Sequence, residues 1–219
     1  MFQPPRRPVP VFPLPNLVLF PEVDLPLHVF ELRYRTMVRD ALSGERWLAI
    51  ATLLPGWEAD YHGSPEFHEL GCLGRFEEVE WLPNDCYDLR LRGLRRVRFV
   101  RRRREFPYRA FDVDVLDDLP FDANDPPVQM ERAALLETAR KLLPLGAEAW
   151  AAPPVTGDEA GFAEVVNSLA QCARIATSER LELLAMDNVV DRARRLHECL
   201  KALRPDAGPA PGGADTGRN

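Results

Sequence analysis

Lysine is nearly missing from this chain of 219 residues; Lys141 and Lys201 are the only two, and arginine carries almost all of the positive charge. No Gly-Lys pair occurs, which excludes the glycine-rich loop whose lysine reaches nucleotide phosphates. Cysteine is scarce too. Cys72, Cys86, Cys172 and Cys199 show no CxxC spacing and fall in stretches that read as strand or helix interior. They are expected to be reduced core residues of a cytoplasmic protein, not a disulfide framework. Long hydrophobic runs are missing as well. The charge-free stretch from Pro8 to Pro21 is too short and too broken by proline to cross a bilayer. Arg6 and Arg7 precede it, but no A-x-A-like cleavage site follows, so it does not read as a signal peptide. Nucleophile elbow, HExxH motif and internal repeat are all lacking, which counts against catalysis. A formal net charge of −6 counts against bulk attraction to nucleic acid or an anionic membrane.

Proline, by contrast, is plentiful where it is least expected. VFPLPNLVLFPEVDLPLHVFELRYR, Val11 to Arg35, is apolar enough for buried strands yet holds Pro13, Pro15, Pro21 and Pro26. Proline removes a backbone donor and fixes φ, so these residues are expected at strand ends and bends. Asn16 to Phe20 reads as a buried strand, and Leu27 to Phe30 as a second. From Leu32 the period changes to that of a helix, with Tyr34, Met37, Val38, Ala41 and Leu42 on one face and Gly44 at its end. Trp47 to Leu54 is another buried strand. Pro55 to Glu69 shows no periodicity and reads as a 15-residue loop; loops this long are usually binding elements or disordered, and Trp57, Tyr61 and Phe67 favour binding. Strands with one wet face follow: GCLGRFEEVEWL, a turn at Pro83-Asn84-Asp85, YDLRLRG, LRRVRFV and YRAFDVDVL. Their close spacing implies an antiparallel barrel.

Past Asp117 the pattern is helical. Val128 to Leu143 forms one helix, and Thr156 to Glu159 has capping-box spacing ahead of Phe162, Val165, Val166, Leu169 and Ala173. Ser178 opens a short helix. Asn188 opens the last one, with Arg192, Arg194 and Arg195 on its exposed face. Residues 205–219 read as a disordered Pro/Gly-rich tail.

The opening block, VFPLPNLVLFPEVDLPLHVFELRYRTMVRDAL, resembles the N-terminal substrate-binding domain of ATP-dependent Lon proteases. The likeness continues through GCLGRFEEVEWLPNDCYDLRLRGLRRVRF and, more weakly, SERLELLAMDNVVDRARRLHECLKAL, covering Pro8 to Leu203. It implies an α+β fold, a PUA-like antiparallel β-barrel over residues 8–118 followed by a C-terminal helical bundle over 126–204, in one domain of residues 8–204. His28, Glu31, Arg33 and Tyr34 fall on the family's motif positions, as a junction between strand and helix. The lysine-activated serine of the family's protease domain has no counterpart here. The resemblance therefore implies a stand-alone, non-catalytic module without cofactor. It would bind exposed or unfolded polypeptide and leaves open a separate protease or unfoldase that receives the client. Phe30, Tyr34, Trp57, Tyr61 and Phe67 are the candidate peptide contacts, in a groove between barrel and bundle; for Phe30 and Tyr34 core packing is the simpler role.

The rival is an RNA-binding barrel. Nine arginines lie between Arg90 and Arg104, and Arg101, Arg102, Arg103 and Arg104 would contact phosphate. Against it, Asp112, Asp114, Asp117 and Asp118 stand ready to pair with them across strands. His62, His68 and Cys72 lack the spacing of a zinc site. His197 and Cys199 point apart on a helix.

Overall fold

The computed structural model describes residues 2–60, 63–142, 155–157 and 159–202. Tyr61, His62 and the tail from residue 205 lie outside them. The elements run β1 (Val9–Leu14), β2 (Asp24–Val29), α1 (Leu32–Leu42), β3 (Trp47–Leu53), β4 (Phe67–Trp81), β5 (Tyr87–Arg103) and β6 (Ala110–Leu116). Helices α2 (Pro126–Leu142), α3 (Phe162–Cys172), α4 (Thr177–Ala185) and α5 (Val189–Ala202) follow.

Strand pairing closes on itself. β1 pairs with β3, β3 with β4, β4 with β5 and β5 with β6, and β6 returns to β1 through Val9 opposite Phe111 and Pro10 opposite Ala110. β2 lies outside this ring, against the first half of β5. The α+β class expected from the sequence holds, with one correction. β1 and β3 are parallel, because the chain crosses over through β2 and α1 between them.

Prolines sit inside β1 rather than at its ends, and the ladder explains why. The Val11 amide donates to the Arg109 carbonyl on the β6 side at 2.8 Å. Alternation puts the nitrogen of Pro13 on that same side, past the point where β6 has departed. Pro10 precedes the first β1–β3 pair, Val11 with Ala49. Pro26 lies in β2, at the end of the sheet order.

Asn16 to Phe20 is not a strand. Asn16 takes a left-handed φ of 54°, and the next four residues run as a spacer between two cores. Leu17 and Leu19 face a cluster shared with β2, α1 and β3, whereas Val18 and Phe20 join the core of the helical bundle. Side chains satisfy this irregular backbone: Thr52 donates to the Leu17 carbonyl at 2.6 Å, and Gln171 accepts from the Phe20 amide at 3.1 Å. Burying Phe20 alone contributes about 2–3 kcal/mol.

The ring encloses a third cluster, Val9, Val11, Ala49, Ala51, Leu73, Val97 and Phe99, flanked by Phe67, Phe111, Val113 and Val115. β5 serves two faces. The expected strands YDLRLRG and LRRVRFV are one strand with a register shift opposite Leu73 and Gly74. Before the shift Leu89 and Leu91 face α1; after it Val97 and Phe99 face the barrel interior. Among the helices, α3 starts at Phe162, later than Thr156 suggested, with Gly161 as N-cap. Asn188 does cap α5, accepting from the Val190 amide at 2.9 Å.

Candidate functional site

Two adjoining hollows open at one end of the barrel. The first, about 130 Å³, is lined by Phe12 to Leu14 of β1, by His28, Phe30, Glu31, Arg33 and Tyr34 at the β2–α1 junction, and by Leu53, Pro65 and Arg109. The second, about 270 Å³, is lined by residues 64–67, Glu69, Phe99, Arg102, Arg109 and Phe111. Pro65 and Arg109 belong to both, so the two form one concave strip.

The junction is organised by short polar contacts. His28 Nδ1 lies 2.6 Å from the Asp88 carboxylate, and its ring stacks on Phe30 at 6.0 Å. Arg33 donates to Glu31 at 3.1 Å and to the Gly63 carbonyl at 3.1 Å, with its guanidinium 4.6 Å over the Tyr34 ring. Tyr34 is buried against Phe12 at 4.4 Å, a core residue with one side toward the hollow. Phe30 behaves differently: it is 61% exposed, and Leu32 beside it is 66% exposed. In the second hollow Phe67 meets Phe99 and Phe111 edge-on at 5.2 and 5.3 Å, under the Arg109 guanidinium at 5.4 Å.

Four of the five candidate contacts can thus be placed. Phe30, Tyr34 and Phe67 share the strip. Phe67 stands in β4, not in the loop expected to hold it. Trp57 is half-buried on a 3-10 turn, Trp57–Asp60, and lines neither hollow; Tyr61 lies outside the described residues. The strip is at the barrel end, and the expected site between barrel and bundle is a different place. There a hollow of about 430 Å³ is lined by none of the four that lie among the described residues.

Most of the arginine run is matched by acid. Arg90 reaches Asp24 and Glu78, Arg92 reaches Asp24 and Glu164, and Arg95 reaches Asp117. Arg101 and Arg103 both donate to Asp112 at 3.0 Å, which holds that carboxyl below its usual range. Arg102 donates to Ser64, and Arg104 is exposed without an ion pair among the described residues. Among the described residues no three metal-ligating side chains converge.

The sequence reading missed the seam between barrel and bundle. Arg192, expected on an exposed face, is wholly buried, as is Arg96. Arg192 donates to both oxygens of Asp118, at 2.7 and 3.3 Å, and Arg96 Nε lies 2.9 Å from the same carboxylate. Both arginines also take carbonyls at the end of α4: Arg96 those of Leu184 and Ala185, Arg192 those of Leu183 and Met186. Carbonyls at a helix end are the ones left without a partner in the helix, although that of Leu183 also accepts from the Met186 amide at 3.2 Å, and the helix dipole there favours a cation. Burial pulls Arg96 below its ordinary pKa, opposed by Asp118. A signal was available: Arg192 falls on the stripe Val189, Ala193, Leu196, Cys199 and Leu200, so its position in the period marks it as buried.

The architecture is thus a barrel with a partly apolar mouth and largely matched charges, locked to a helical bundle. The family model described as the ATP-dependent protease La (LON) substrate-binding domain matches residues 8–202, and the chain belongs to that family. Substrate recognition is the role that goes with it. Among curated relatives, Lon protease 2 of Myxococcus xanthus is 30% identical over 110 residues, half of this chain and 13% of that protein. Lon protease 1 of Bdellovibrio bacteriovorus is 23% identical over 90% of this chain and 25% of its own length. The chain therefore spans about an eighth to a quarter of such relatives. Of solved structures, the Lon N-terminal domain protein from Xanthomonas campestris aligns over 90% of this chain and 99% of its own, with TM-score 0.61 and 27% identity. The N-terminal domain of a Mycobacterium avium complex Lon protease aligns over 90% of this chain and 99% of its own, with TM-score 0.61 and 17% identity, a likeness of fold. No helix among the described residues is long and apolar enough to cross a membrane.

Proposed function

We propose that this protein is a non-catalytic, cytoplasmic recognition module that binds exposed apolar segments of unfolded polypeptide at the barrel mouth. The observation that carries the reading is the pair of exposed side chains Phe30 and Leu32 beside a concave strip floored by Tyr34 and Phe67. Exposed aromatic and aliphatic groups next to a hollow offer large contact area at small entropic cost, which suits tolerant binding of polypeptide. His28 and the Glu31–Arg33 pair border the first hollow and supply hydrogen-bonding groups at its rim. Client transfer to a separate protease or unfoldase belongs to the same reading.

Titration of the protein with a permanently unfolded model protein, followed by fluorescence anisotropy, tests it. Saturable binding is expected, weakened at least fivefold by Phe30→Ala and little affected by salt, because apolar burial rather than charge drives it. Affinity no better than that of an unrelated acidic protein, and indifferent to Phe30→Ala, would remove the proposal. Nucleic-acid binding would instead fall steeply with salt and with loss of Arg101 to Arg104. Hydrolysis of ATP or cleavage of casein by the purified chain would contradict the absence of chemistry.

A further inference from the structure

The hollow at the seam is a different kind of place from the barrel mouth. Its apolar walls include Leu94, Leu116 and Phe121, and its floor includes Asn167. Asn167 is completely buried. Its Oδ1 accepts from Arg192 at 2.8 Å. Because arginine can only donate, this contact fixes the amide orientation, and Nδ2 is left buried with no partner among the described residues. An orphaned buried donor is costly, so a native fold that keeps one has a reason for it.

A second group in the same hollow is also unmatched. Glu22 lines it, and no ion pair or hydrogen bond reaches its carboxylate among the described residues. The nearby cations are engaged elsewhere: Arg92 with Asp24 and Glu164, Arg95 with Asp117, Arg96 with Asp118. Glu22 also sits at a φ of 64°, where glycine or asparagine would be less strained. Burial and the neighbouring Glu164 disfavour its charge, opposed in smaller part by Arg92 and Arg95.

We propose that the seam hollow binds a basic residue and an adjacent apolar residue of an extended polypeptide. Glu22 receives the cationic head, Asn167 Nδ2 donates to a backbone carbonyl, and the apolar side chain lies against Leu94, Leu116 and Phe121. A volume of about 430 Å³ lies within the range of ligand pockets. The proposal rests on the polypeptide-binding reading but assigns a second, separate subsite with its own selectivity. The net charge of −6 favours the approach of a cationic segment.

The test uses the full chain and a fluorescein-labelled, amidated peptide with Arg-Phe at its centre, alongside the same peptide with Glu-Phe. Saturable binding of the Arg-Phe peptide is expected, at least tenfold weaker for the Glu-Phe peptide. Glu22→Gln and Ala163→Trp, which fills the hollow from α3, should each weaken it at least tenfold, and Met130→Ala, exposed on α2 and outside the lining of every hollow described, should leave it within twofold. Should Ala163→Trp fail to fold, Glu22→Gln decides alone. No saturation up to millimolar peptide, or affinity that survives Glu22→Gln within twofold, overturns the proposal. Loss on Phe30→Ala instead would also end it while supporting the barrel mouth. Seam binding of the peptide without any binding of unfolded protein would sink only the mouth.

Discussion

Asp118 answers two buried arginines at once, and its removal is the most damaging single change the seam offers. Asp118→Asn leaves Arg96 and Arg192 facing each other without a counter-charge, and breaking a buried pair from one side costs about 3–5 kcal/mol. Asp118 is 25% exposed, so about 3 kcal/mol is expected, read from urea unfolding. Glu22 gives the opposite sign. Burial first, then Glu164, raises its folded pKa above the ordinary value of 4.5. The charged carboxylate therefore weakens the fold, fully so above the raised pKa, and the penalty fades as pH falls to the unfolded value. Glu22→Gln should be more stable than the native chain at pH 7, and the gap should close below about pH 4.5. Paired melts at the two pH values check this, and a gap that widens in acid would contradict it. At this scale the sequence was partly legible. Acidic partners for the arginine run could be named in advance because Asp112, Asp117 and Asp118 lie a strand away. Which of the arginines are buried could not be read so easily, because in β5 a bulge decides which face Arg96 presents.

Elements read well where one period held throughout. Helix α1 and strand β3 come within a residue or two of their expected bounds, since each buries a single face or is buried on both. Reading failed where the chain serves two cores at once. Asn16 to Phe20 looks like a strand because nearly every residue is apolar, yet its residues alternate between barrel and bundle, and no sheet edge accepts it. Gly93 is the hinge of this arrangement. Its amide donates to the Val23 carbonyl and its carbonyl accepts from the Glu22 amide, each at 2.8 Å, so residues 20–23 cross β5 in direct backbone contact. A Cβ at Gly93 would collide with the backbone carbonyl oxygen of Phe20, which cannot swing aside like a side chain. Gly93→Ala is expected to destabilise by about 3 kcal/mol, at the upper end of ordinary single substitutions. A thermal midpoint unchanged from the native chain would show that the spacer can move away.

For the whole molecule the question is whether barrel and bundle are one cooperative unit. Val18, Phe20 and Val23 come from the barrel half of the chain but complete the core of the bundle, and Arg96 of β5 caps the end of α4. Unfolding the helices would strand three apolar side chains and a buried cation on the barrel, so neither half has a stable state without the other. With Trp150 replaced by Phe, fluorescence reports Trp47, Trp57 and Trp81, all on the barrel side, while far-UV circular dichroism is dominated by the helices. The two signals should trace one coincident urea transition, the mark of two-state behaviour. In Asp118→Asn the seam is the part weakened, and because neither half stands alone the single transition should move to lower urea with the two signals still coincident. Well-separated transitions in the otherwise native chain would mean that the apolar spacer and the buried arginines contribute too little to couple the halves. The hollow between them would then be a gap between independent bodies, and its fixed arrangement of Glu22 and Asn167 would not survive in solution.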